Sequence, residues 1–336
     1  MTGPRRVLVH LAAGVGNVVL ATPLLVALDG AGFAVDVLLD ADYPPTAELL
    51  KNWSVVREVF GCGARHASHL FGRYDALVPA VPPFYWPRLA RHYPRAARPA
   101  TIRRPPDALF YRDEQAYYLA CANSLLAGRG ADANDAAPPV YRLPVAASDE
   151  YGTGPHTLAL APGCKGGEMG AKRWPYFAEL AARFADVAVV GTAEDLRRAD
   201  GTGIEFPPHA RLFIDRLSLR ETAALLASCG AVVANDSGLA HVAAAVGAPV
   251  VMIFGPTPDR TLGPLAPNVT VVRAGHACEP CWFGPRLRAC AGRLDCLREI
   301  SVARVERAAR RLLGREDRPP AIFAETNSST LHTHAL

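Results

Sequence analysis

Short apolar runs alternate with amphipathic or glycine-rich stretches along most of the chain. In the first half, residues 5–11 (RRVLVHL) and the run AGFAVDVLLD ending at Asp40 predict strands, with an apolar helix to Leu28 between them. Pro23 cannot donate a backbone hydrogen bond, so this helix is expected to kink or to be irregular in its first turns. Residues 55–60 and 74–81 are further strand candidates, and 113–128 have helical spacing.

In the second half of the chain, predicted strands and helices alternate more regularly. The runs TLALAPG, VAVVG, RLFID, AVVAND and PVVMIFG predict strands, and PYFAELAARFAD, SLRETAALLASC and SGLAHVAAAVG predict the helices that connect them. Ser218 and Glu221 form a predicted capping box at the start of the second of these helices. Strands and helices alternating at this spacing predict right-handed βαβ units on a mostly parallel sheet.

Residues 134–156 are rich in Pro, Ala, Gly and Asp and lack periodicity, which is typical of an interdomain connection. We therefore predict an α/β protein with two Rossmann-like domains that face a central cleft. The expected ranges are 1–150 for the N-terminal domain, 151–316 for the C-terminal domain and 317–336 for a disordered tail.

Composition narrows the possible function. The chain has 336 residues with a formal net charge of +4, and its only lysines are Lys51, Lys165 and Lys172, so bulk nucleic-acid binding is not expected. No window reaches the roughly eighteen uninterrupted apolar residues of a membrane helix, and the N-terminus reads as a strand and loop, without a signal-peptide cleavage site. We expect a cytoplasmic protein without stable membrane insertion.

A polar cluster follows the predicted strand AVVAND. Free N–H groups at the start of the next helix, the Ser237 hydroxyl, a close backbone approach at Gly238 and the ring of His241 together suit an anion such as a diphosphate. The alternative is that Asp236 or Ser237 only caps the helix.

A second polar cluster, CKGGEMGAKRWP, follows the strand TLALAPG. It is glycine-rich and carries Lys165, Lys172 and Arg173 just before Pro175, which fits the first position of a helix. Cations beside a helix N-terminus suit a phosphate group, and the alternative is a set of solvated surface charges.

Four motifs in order resemble a known family. They are G-x-G-N-x-x-L-x-T-P-L-L from Gly14, K-R-W-P from Lys172, N-D-S-G-L-x-H followed by F-G-P-T, and a late C-x-P-C…C…C-L. Together they resemble the heptosyltransferase family of GT-B glycosyltransferases, the ADP-heptose:lipopolysaccharide type. The resemblance implies an inverting, metal-independent enzyme without a cofactor. Such an enzyme moves heptose or a related sugar from an ADP-sugar or other NDP-sugar to a hydroxyl of a saccharide acceptor, which can be lipopolysaccharide core, another glycan or a small natural product.

The resemblance also implies roles for individual residues, with the donor bound mainly by the C-terminal domain and the acceptor by the N-terminal one. Lys172 would hold the donor phosphates or sugar, while Glu194 and Leu217 would meet the ribose and base. The remaining expected binding residues are Gly14, Gly16, Lys165, Arg173, Asp236, Ser237, Gly238, Leu239 and His241.

Position 17 departs from the family pattern. The family commonly has an aspartate there, the favoured general base, whereas this chain has Asn17, whose amide cannot accept a proton at neutral pH. Asn17 can orient the acceptor while Asp40, Asp42 or His10 supplies the base, although His10 also fits a structural role. Alternatively, the chain has lost transfer and only binds a nucleotide sugar.

Two further features have alternative interpretations. Residues 82–107 interleave six arginines with aromatics and prolines, which suits an acceptor site, a basic surface loop or, less well, single-stranded nucleic acid. Cys278, Cys281, Cys290 and Cys296 have a C-x2-C-x8-C-x5-C spacing that four thiolates binding zinc or ordinary core cysteines would both produce.

The main rival from another class is an NAD(P)-dependent oxidoreductase. Gly14 and Gly16 follow a strand and Asp40 ends the next one, as in a dinucleotide-binding unit, but Val19 occupies the third glycine position. That interpretation leaves the K-R-W-P and N-D-S-G-L-x-H motifs unexplained.

Overall fold

The structure is a computed structural model that describes residues 5–12, 14–40, 45–93, 100–128, 141–165, 167–198, 200–263, 266–282, 290 and 293–314. These residues form two sheets, each built of parallel strands and covered by helices. Within these ranges, no helix is long and apolar enough to cross a membrane.

The first sheet has five strands in the order β3-β2-β1-β4-β5. The strands are β1 (Arg6–Leu11), β2 (Ala34–Leu39), β3 (Val59–Phe60), β4 (Ala76–Ala80) and β5 (Ala100–Thr101). The chain order reverses direction between β1 and β4, and in open α/β sheets ligands bind beyond the carboxyl ends of the strands at such a point. The glycine loop that starts at Gly14 follows β1 and therefore lies at this switch point.

The second sheet has six strands in the order β11-β10-β9-β6-β7-β8. The strands are β6 (Leu158–Ala161), β7 (Val187–Gly191), β8 (Arg211–Ile214), β9 (Ala231–Asn235), β10 (Val250–Ile253) and β11 (Val269–Val272). Its switch point lies between β6 and β9, so the two polar clusters that follow these strands meet at one edge.

The first half contains nine α-helices within the described residues: α1 (Val15–Leu20), α2 (Thr22–Gly30), α3 (Thr46–Leu50), α4 (Gly63–His66), α5 (Ser68–Phe71), α6 (Trp86–Leu89), α7 (Asp107–Arg112), α8 (Glu114–Ala120) and α9 (Asn123–Ala127). The irregularity expected at Pro23 is confirmed, because α1 ends at Leu20 and α2 begins at Thr22. Pro23 lies in the first turn of α2, where its missing N–H costs little.

Described residues of the second half form α10 (Phe177–Ala181), α11 (Leu219–Ser228), α12 (Gly238–Ala245), α13 (Asp259–Leu262), α14 (Asp295–Arg298) and α15 (Val302–Leu313). A 3₁₀ helix, Gly167–Lys172, precedes α10. The predicted capping box of α11 is confirmed, because the Ser218 side chain accepts from Glu221 N while Glu221 accepts from Ser218 N.

Three sequence predictions are corrected in extent. The strand expected over 55–60 is only Val59–Phe60, the helix expected over 113–128 is divided into α8 and α9, and the helix after Pro175 is only Phe177–Ala181. The division of 113–128 follows from local geometry: the Cys121 N–H donates to the carbonyls of Tyr117 and Tyr118, and the Ala122 N–H donates to the carbonyl of Leu119, which closes the first helix tightly before the second begins.

The two halves pack directly on each other. Helix α1 lies against α12, and Val242 and Ala245 of α12 belong to the same buried cluster as β1. Arg220 of α11 donates to the carbonyls of Glu48, Lys51 and Pro144 from the first half. The chain between residues 129 and 140 and the tail after 314 lie outside the described residues, so the domain boundaries stay predictions.

Candidate active site

The two polar clusters of the second half meet through an ion pair. Lys172 ends the 3₁₀ helix after β6, and its Nζ donates to Asp236 Oδ2, just beyond β9, at 3.1 Å. The two side chains are only 11% and 4% exposed, so the pair is largely removed from water. A buried cation at a switch point is a strong attractor for an anionic ligand.

Asn235 and Arg173 hold the Lys172 segment in place. Asn235 accepts from Trp174 N at 2.9 Å through Oδ1 and donates to Pro162 O through Nδ2, which ties the segment to the end of β6. The Arg173 guanidinium is buried and donates to the carbonyls of Cys164 and Arg197. Arg173 was expected to bind substrate; two of its nitrogens donate to these carbonyls, its Nε has no partner among the described residues, and the binding role stays a prediction.

Three buried polar atoms on the segments that follow β9 and β10 have no hydrogen-bond partner among the described residues. They are Ser237 Oγ, His241 Nδ1 and Thr257 Oγ1. Ser237 occupies the N-cap position of α12, but its side chain makes no capping bond. The cap-only interpretation of Ser237 therefore fails, because the hydroxyl is not used by the helix.

His241 is neutral at physiological pH. Burial is the main cause that lowers its pKa to about 4, opposed by the Asp236 carboxylate and assisted by the Lys172 ammonium. A neutral imidazole can donate one hydrogen bond without adding charge. Ser237, His241, Thr257 and the N–H groups at the start of α12 form a donor set that we call the anion cradle.

The glycine loop of the first half lies against the anion cradle. A Cβ added to Gly16 would be 3.0 Å from His241 Cδ2, and a Cβ added to Gly238 would be 3.0 Å from Val15 Cβ. Glycine at both positions thus permits α1 and α12 to approach closely. Gly14 is the N-cap of α1, and its N–H donates to Asn17 Oδ1 at 3.2 Å.

Asn17 contacts a carboxylate that the sequence patterns did not single out. Asn17 Nδ2 donates to Glu114 Oε1 at 2.5 Å, and Tyr118 OH donates to the same oxygen at 2.8 Å. Burial raises the pKa of Glu114 to about 7; the hydrogen bonds from Tyr118 and Asn17 and the charge of Lys172 oppose this rise, and Asp236 adds to it. Glu114 thus joins the first half electrostatically to the Lys172–Asp236 pair.

A family model matches the C-terminal part of the chain. The model described as glycosyltransferase family 9 (heptosyltransferase) matches residues 132–286, which include Lys172 and the anion cradle. This stretch, which is less than half of the chain, is similar to that family.

Curated relatives and solved structures are similar to this chain in sequence and in fold. Lipooligosaccharide heptosyltransferase 2 of Haemophilus influenzae is 39% identical over 121 residues, which are 33% of this chain and 35% of the relative. The match thus spans about a third of the length of that curated relative. The structure of Escherichia coli ADP-heptose LPS heptosyltransferase II superposes with a TM-score of 0.66 at 23% identity and covers 92% of this chain and 98% of its own.

A further structural neighbour of this chain is the heptosyltransferase TibC of enterotoxigenic Escherichia coli H10407, described as iron-containing. Its complex with ADP-D-beta-D-heptose superposes with a TM-score of 0.61 at 18% identity, over 93% of this chain and 77% of the neighbour. These superpositions establish the fold: the two parallel sheets have the GT-B arrangement, as the sequence predicted.

Asp40 belongs to a different group of polar side chains, which includes His10 and Tyr93. His10 Nε2 lies 3.7 Å from Asp40 Oδ1, and His10 Nδ1 is 2.8 Å from Tyr93 OH. His10 is fully buried and Asp40 is 18% exposed. The structure thus pairs Asn17 with Glu114, while Asp40 pairs with His10; Asp42 lies outside the described residues.

The remaining predicted binding residues lie around the second sheet. Lys165 and Glu194 are exposed, Leu217 is half-buried and packs on the second sheet's core, and Leu239 is a half-buried residue of the first turn of α12. Nothing in their contacts tests the proposed roles at the ribose and base.

The arginine-rich region of the first half forms a cavity. It has a volume of about 730 Å³ and is lined by Trp86 and by residues 101–107, including Arg103 and Arg104. Arg104 stacks with its guanidinium carbon 5.0 Å from the Trp86 ring centre and also donates to Tyr117 OH at 3.4 Å. A stacked aromatic beside two arginines suits an anionic or polyhydroxylated ligand.

The late cysteines lie near one another. Burial, followed by the charges of Glu279 and of Cys281, Cys278 and Cys290, raises the pKa of the Cys296 thiol to about 12. In the part of the chain that the structure describes, no three His, Cys, Asp or Glu side chains are arranged to hold a metal ion. Whether the four cysteines bind zinc thus stays an open prediction.

Proposed function

We propose that this chain is an inverting GT-B glycosyltransferase that moves a heptose or related sugar from an ADP-sugar or other NDP-sugar to a hydroxyl of a saccharide acceptor. The observation that carries the proposal is the anion cradle: Ser237 Oγ and His241 Nδ1 at the start of α12, next to the Lys172–Asp236 pair, and Thr257 Oγ1 after β10 are buried and have no partner among the described residues. Buried polar groups are normally hydrogen-bonded, so this set indicates a ligand that supplies the missing partners.

The geometry suits departure of a nucleoside diphosphate. As the bond between the anomeric carbon and the diphosphate oxygen breaks, negative charge grows on the phosphates. Lys172, the Ser237 hydroxyl and the N–H groups of α12 are already oriented toward this region, so they stabilise that charge without reorganisation. Such fixed donors can serve in place of a divalent cation, which supports metal-independent transfer.

The donor and acceptor are assigned by likeness to relatives and by chemistry. ADP-heptose is the first donor to test, because structural neighbours are named for ADP-heptose, and lipopolysaccharide core is the first acceptor, because the curated relative is a lipooligosaccharide heptosyltransferase. The acceptor would occupy the cavity beside Trp86 and Arg104, in the first half. We place the enzyme in the cytoplasm because its donor is a nucleotide sugar.

The structure weighs against the oxidoreductase alternative. The glycine loop departs from a dinucleotide-binding fingerprint, because Val19 stands at the third glycine position and the helix that follows the loop already ends at Leu20.

The direct test is calorimetry of the full chain with ADP, ADP-heptose, UDP-glucose and NAD, followed by assay of ADP release in the presence of saccharide acceptors. We expect ADP and ADP-heptose to bind, NAD not to bind, and ADP release to increase with a lipooligosaccharide core acceptor. Tight donor binding without transfer to any acceptor would establish a non-catalytic sugar-nucleotide-binding protein instead. Binding of NAD alone would overturn the proposal altogether.

A further inference from the structure

The glycine loop lacks the carboxylate expected at position 17, but the carboxylate of Glu114 lies next to that position. Asn17 is half-buried and cannot accept a proton, but its amide nitrogen points at Glu114. The orientation of the amide is fixed from the other side, because Asn17 Oδ1 accepts from the Gly14 N–H. An aspartate at position 17 would provide a carboxylate there. This chain has an amide at that position instead, and the amide is hydrogen-bonded to the Glu114 carboxylate.

Two hydrogen bonds orient the carboxylate of Glu114. Asn17 and Tyr118 both donate to Oε1, and no other hydrogen bond from a described residue reaches the carboxylate. Its other oxygen, Oε2, is therefore the one left to accept a proton. The carboxylate is 1% exposed, so it lies in a low-dielectric site where a neutral acid and a carboxylate are close in free energy near neutral pH.

The charges around Glu114 come from both halves of the chain. Lys172 and Asp236 act on it across the cleft, and Asn17 and Tyr118 act through hydrogen bonds. Helices α2, α7 and α13 also contact α8 and carry the ionisable residues Asp29, Asp107, Arg112, Asp259 and Arg260. The N-cap of α8 is Asp113, whose carboxylate is held by Ala116 N.

We propose, resting on the proposed function above, that Glu114 is the general base of this glycosyltransferase and that Asn17 is a positioning residue that holds its carboxylate. Glu114 comes from the half expected to bind the acceptor, and the anion cradle comes from the other half. The sugar would lie between them, with the base and the leaving diphosphate on opposite faces of the anomeric carbon, as inversion requires.

The step balances without a further reactant. The acceptor hydroxyl gives its proton to Glu114 Oε2 while its oxygen forms a bond to the anomeric carbon. The bond from that carbon to the diphosphate oxygen breaks, and its electron pair leaves with the nucleoside diphosphate. Lys172 and the anion cradle stabilise the negative charge of this leaving group. Glu114 then returns its proton to water.

Access to Glu114 is expected from the side of the cavity. Tyr117, one turn along α8 from Glu114, receives the hydrogen bond from Arg104 of the cavity wall and donates to Val81 O. A saccharide held on Trp86 and Arg104 is thus adjacent to the helix that carries the proposed base.

The decisive variants exchange amide and carboxylate. Glu114→Gln keeps an oxygen that accepts from Asn17 and Tyr118 but removes the base, so ADP release from ADP-heptose should fall about 100-fold or more while the affinity for ADP changes less than about 3-fold. The double variant Asn17→Asp with Glu114→Gln reverses the pair, because the carboxylate introduced at position 17 accepts from the amide introduced at position 114. We expect the rate of ADP release by the double variant to be at least about tenfold higher than that of Glu114→Gln.

The pH dependence of kcat/KM distinguishes a general base from a residue with a purely structural role. In the wild type, log kcat/KM should rise with pH and level off above about 7, following the Glu114 carboxyl. Tyr118→Phe removes a hydrogen bond that lowers this pKa, so its midpoint should move to higher pH while the rate at the plateau stays within about tenfold. A structural role would leave the midpoint in place.

The outcomes distinguish this inference from the proposed function. If the wild type releases no ADP and binds no ADP-heptose, the proposed function fails. If it turns over and Glu114→Gln keeps more than about a tenth of the rate, the assignment of Glu114 is wrong. Carbon-13 NMR of glutamate-labelled protein, with Glu114→Gln to identify the signal, gives a readout independent of turnover: a carboxyl that stays ionised down to pH 5 would also overturn the assignment.

Discussion

Gly16 and His241, on opposite halves of the chain, are in contact: a Cβ on Gly16 would approach His241 Cδ2 to 3.0 Å. The same junction contains the anion cradle on one side and the Asn17–Glu114 pair on the other. The proposed donor site and the proposed base are therefore positioned by a single helix contact, α1 on α12, that only small residues permit.

The first prediction concerns this contact. Gly16→Ala should lower the free energy of unfolding by about 1–3 kcal/mol, because the added methyl overpacks the junction and forces α1 and α12 apart. Urea denaturation measures the change. Gly30→Ala is the matched control, since a Cβ there meets nothing within 4 Å. Equal stability of the two variants would show that the junction relaxes freely.

The second prediction compares two serines at helix starts. Ser218 caps α11 through its side chain, whereas Ser237 is at the N-cap of α12 without a side-chain bond. Ser218→Ala should therefore cost about 1 kcal/mol of stability and leave ADP binding unchanged. Ser237→Ala should leave stability nearly unchanged and weaken ADP binding about tenfold, because the hydroxyl is available to a ligand.

Thermal unfolding and calorimetry with ADP measure the two effects. If Ser237→Ala lost stability as Ser218→Ala does, with full ADP affinity, its hydroxyl would be a helix cap after all.

The third prediction compares Lys172 with Lys51. Lys172→Met should weaken ADP binding by about 2 kcal/mol or more, because it removes a desolvated cation from the proposed diphosphate site. It should also destabilise the free protein, since Asp236, 4% exposed, is left without its ion pair. Lys51→Met is the control, because Lys51 is exposed in the other half. Equal ADP affinity of both variants would remove Lys172 from the site.

The fourth prediction is a pH dependence with opposing contributions. Because burial lowers the pKa of His241 to about 4 from an ordinary 6.5, the unfolded chain binds more protons between these values, and this contribution to stability is lost as pH falls. Because burial raises the pKa of Glu114 to about 7 from 4.5, the folded chain binds more protons there, and this contribution is lost as pH rises. The two slopes oppose each other between about pH 4.5 and 6.5.

Single variants should separate the two slopes. In Glu114→Gln, stability should rise more steeply from pH 4 to 6.5 than in the wild type, by up to about 1.4 kcal/mol per pH unit. In His241→Asn, stability should fall from pH 4.5 to 7. Urea denaturation at half-unit pH steps measures both, and parallel curves for the three proteins would contradict the assigned pKa directions.

The fifth prediction concerns the cavity. Arg104→Ala removes the guanidinium that stacks on Trp86 and should raise the KM for a saccharide acceptor about tenfold without changing ADP affinity. Steady-state kinetics with a varied acceptor concentration provide the test. Arg57→Ala is a control on an exposed arginine of the same half. An unchanged acceptor KM in Arg104→Ala would place the acceptor elsewhere.

Local sequence patterns were sufficient to predict the parallel strands and the meeting of two polar clusters at one edge of a sheet. The alternation of apolar runs and helices predicted parallel strands, because burial on both faces requires apolar residues throughout a strand while turn residues mark its ends. The polar residues after β6 and β9 predicted a shared site, because carboxyl ends of parallel strands meet at one edge, and Lys172 and Asp236 do meet there at 3.1 Å.

Tertiary structure alone decided which groups are available for chemistry. Glu114 lies 97 residues from Asn17 in sequence, and a glutamate in the first turn of a helix looks like an ordinary capping residue, so no local pattern marked it. Arg173 has the same sequence signature as a phosphate-binding arginine, and only the fold shows that two backbone carbonyls accept from its buried guanidinium. Burial and partners, rather than residue type, determine whether a polar group is free to act, and both depend on residues that are distant in the chain.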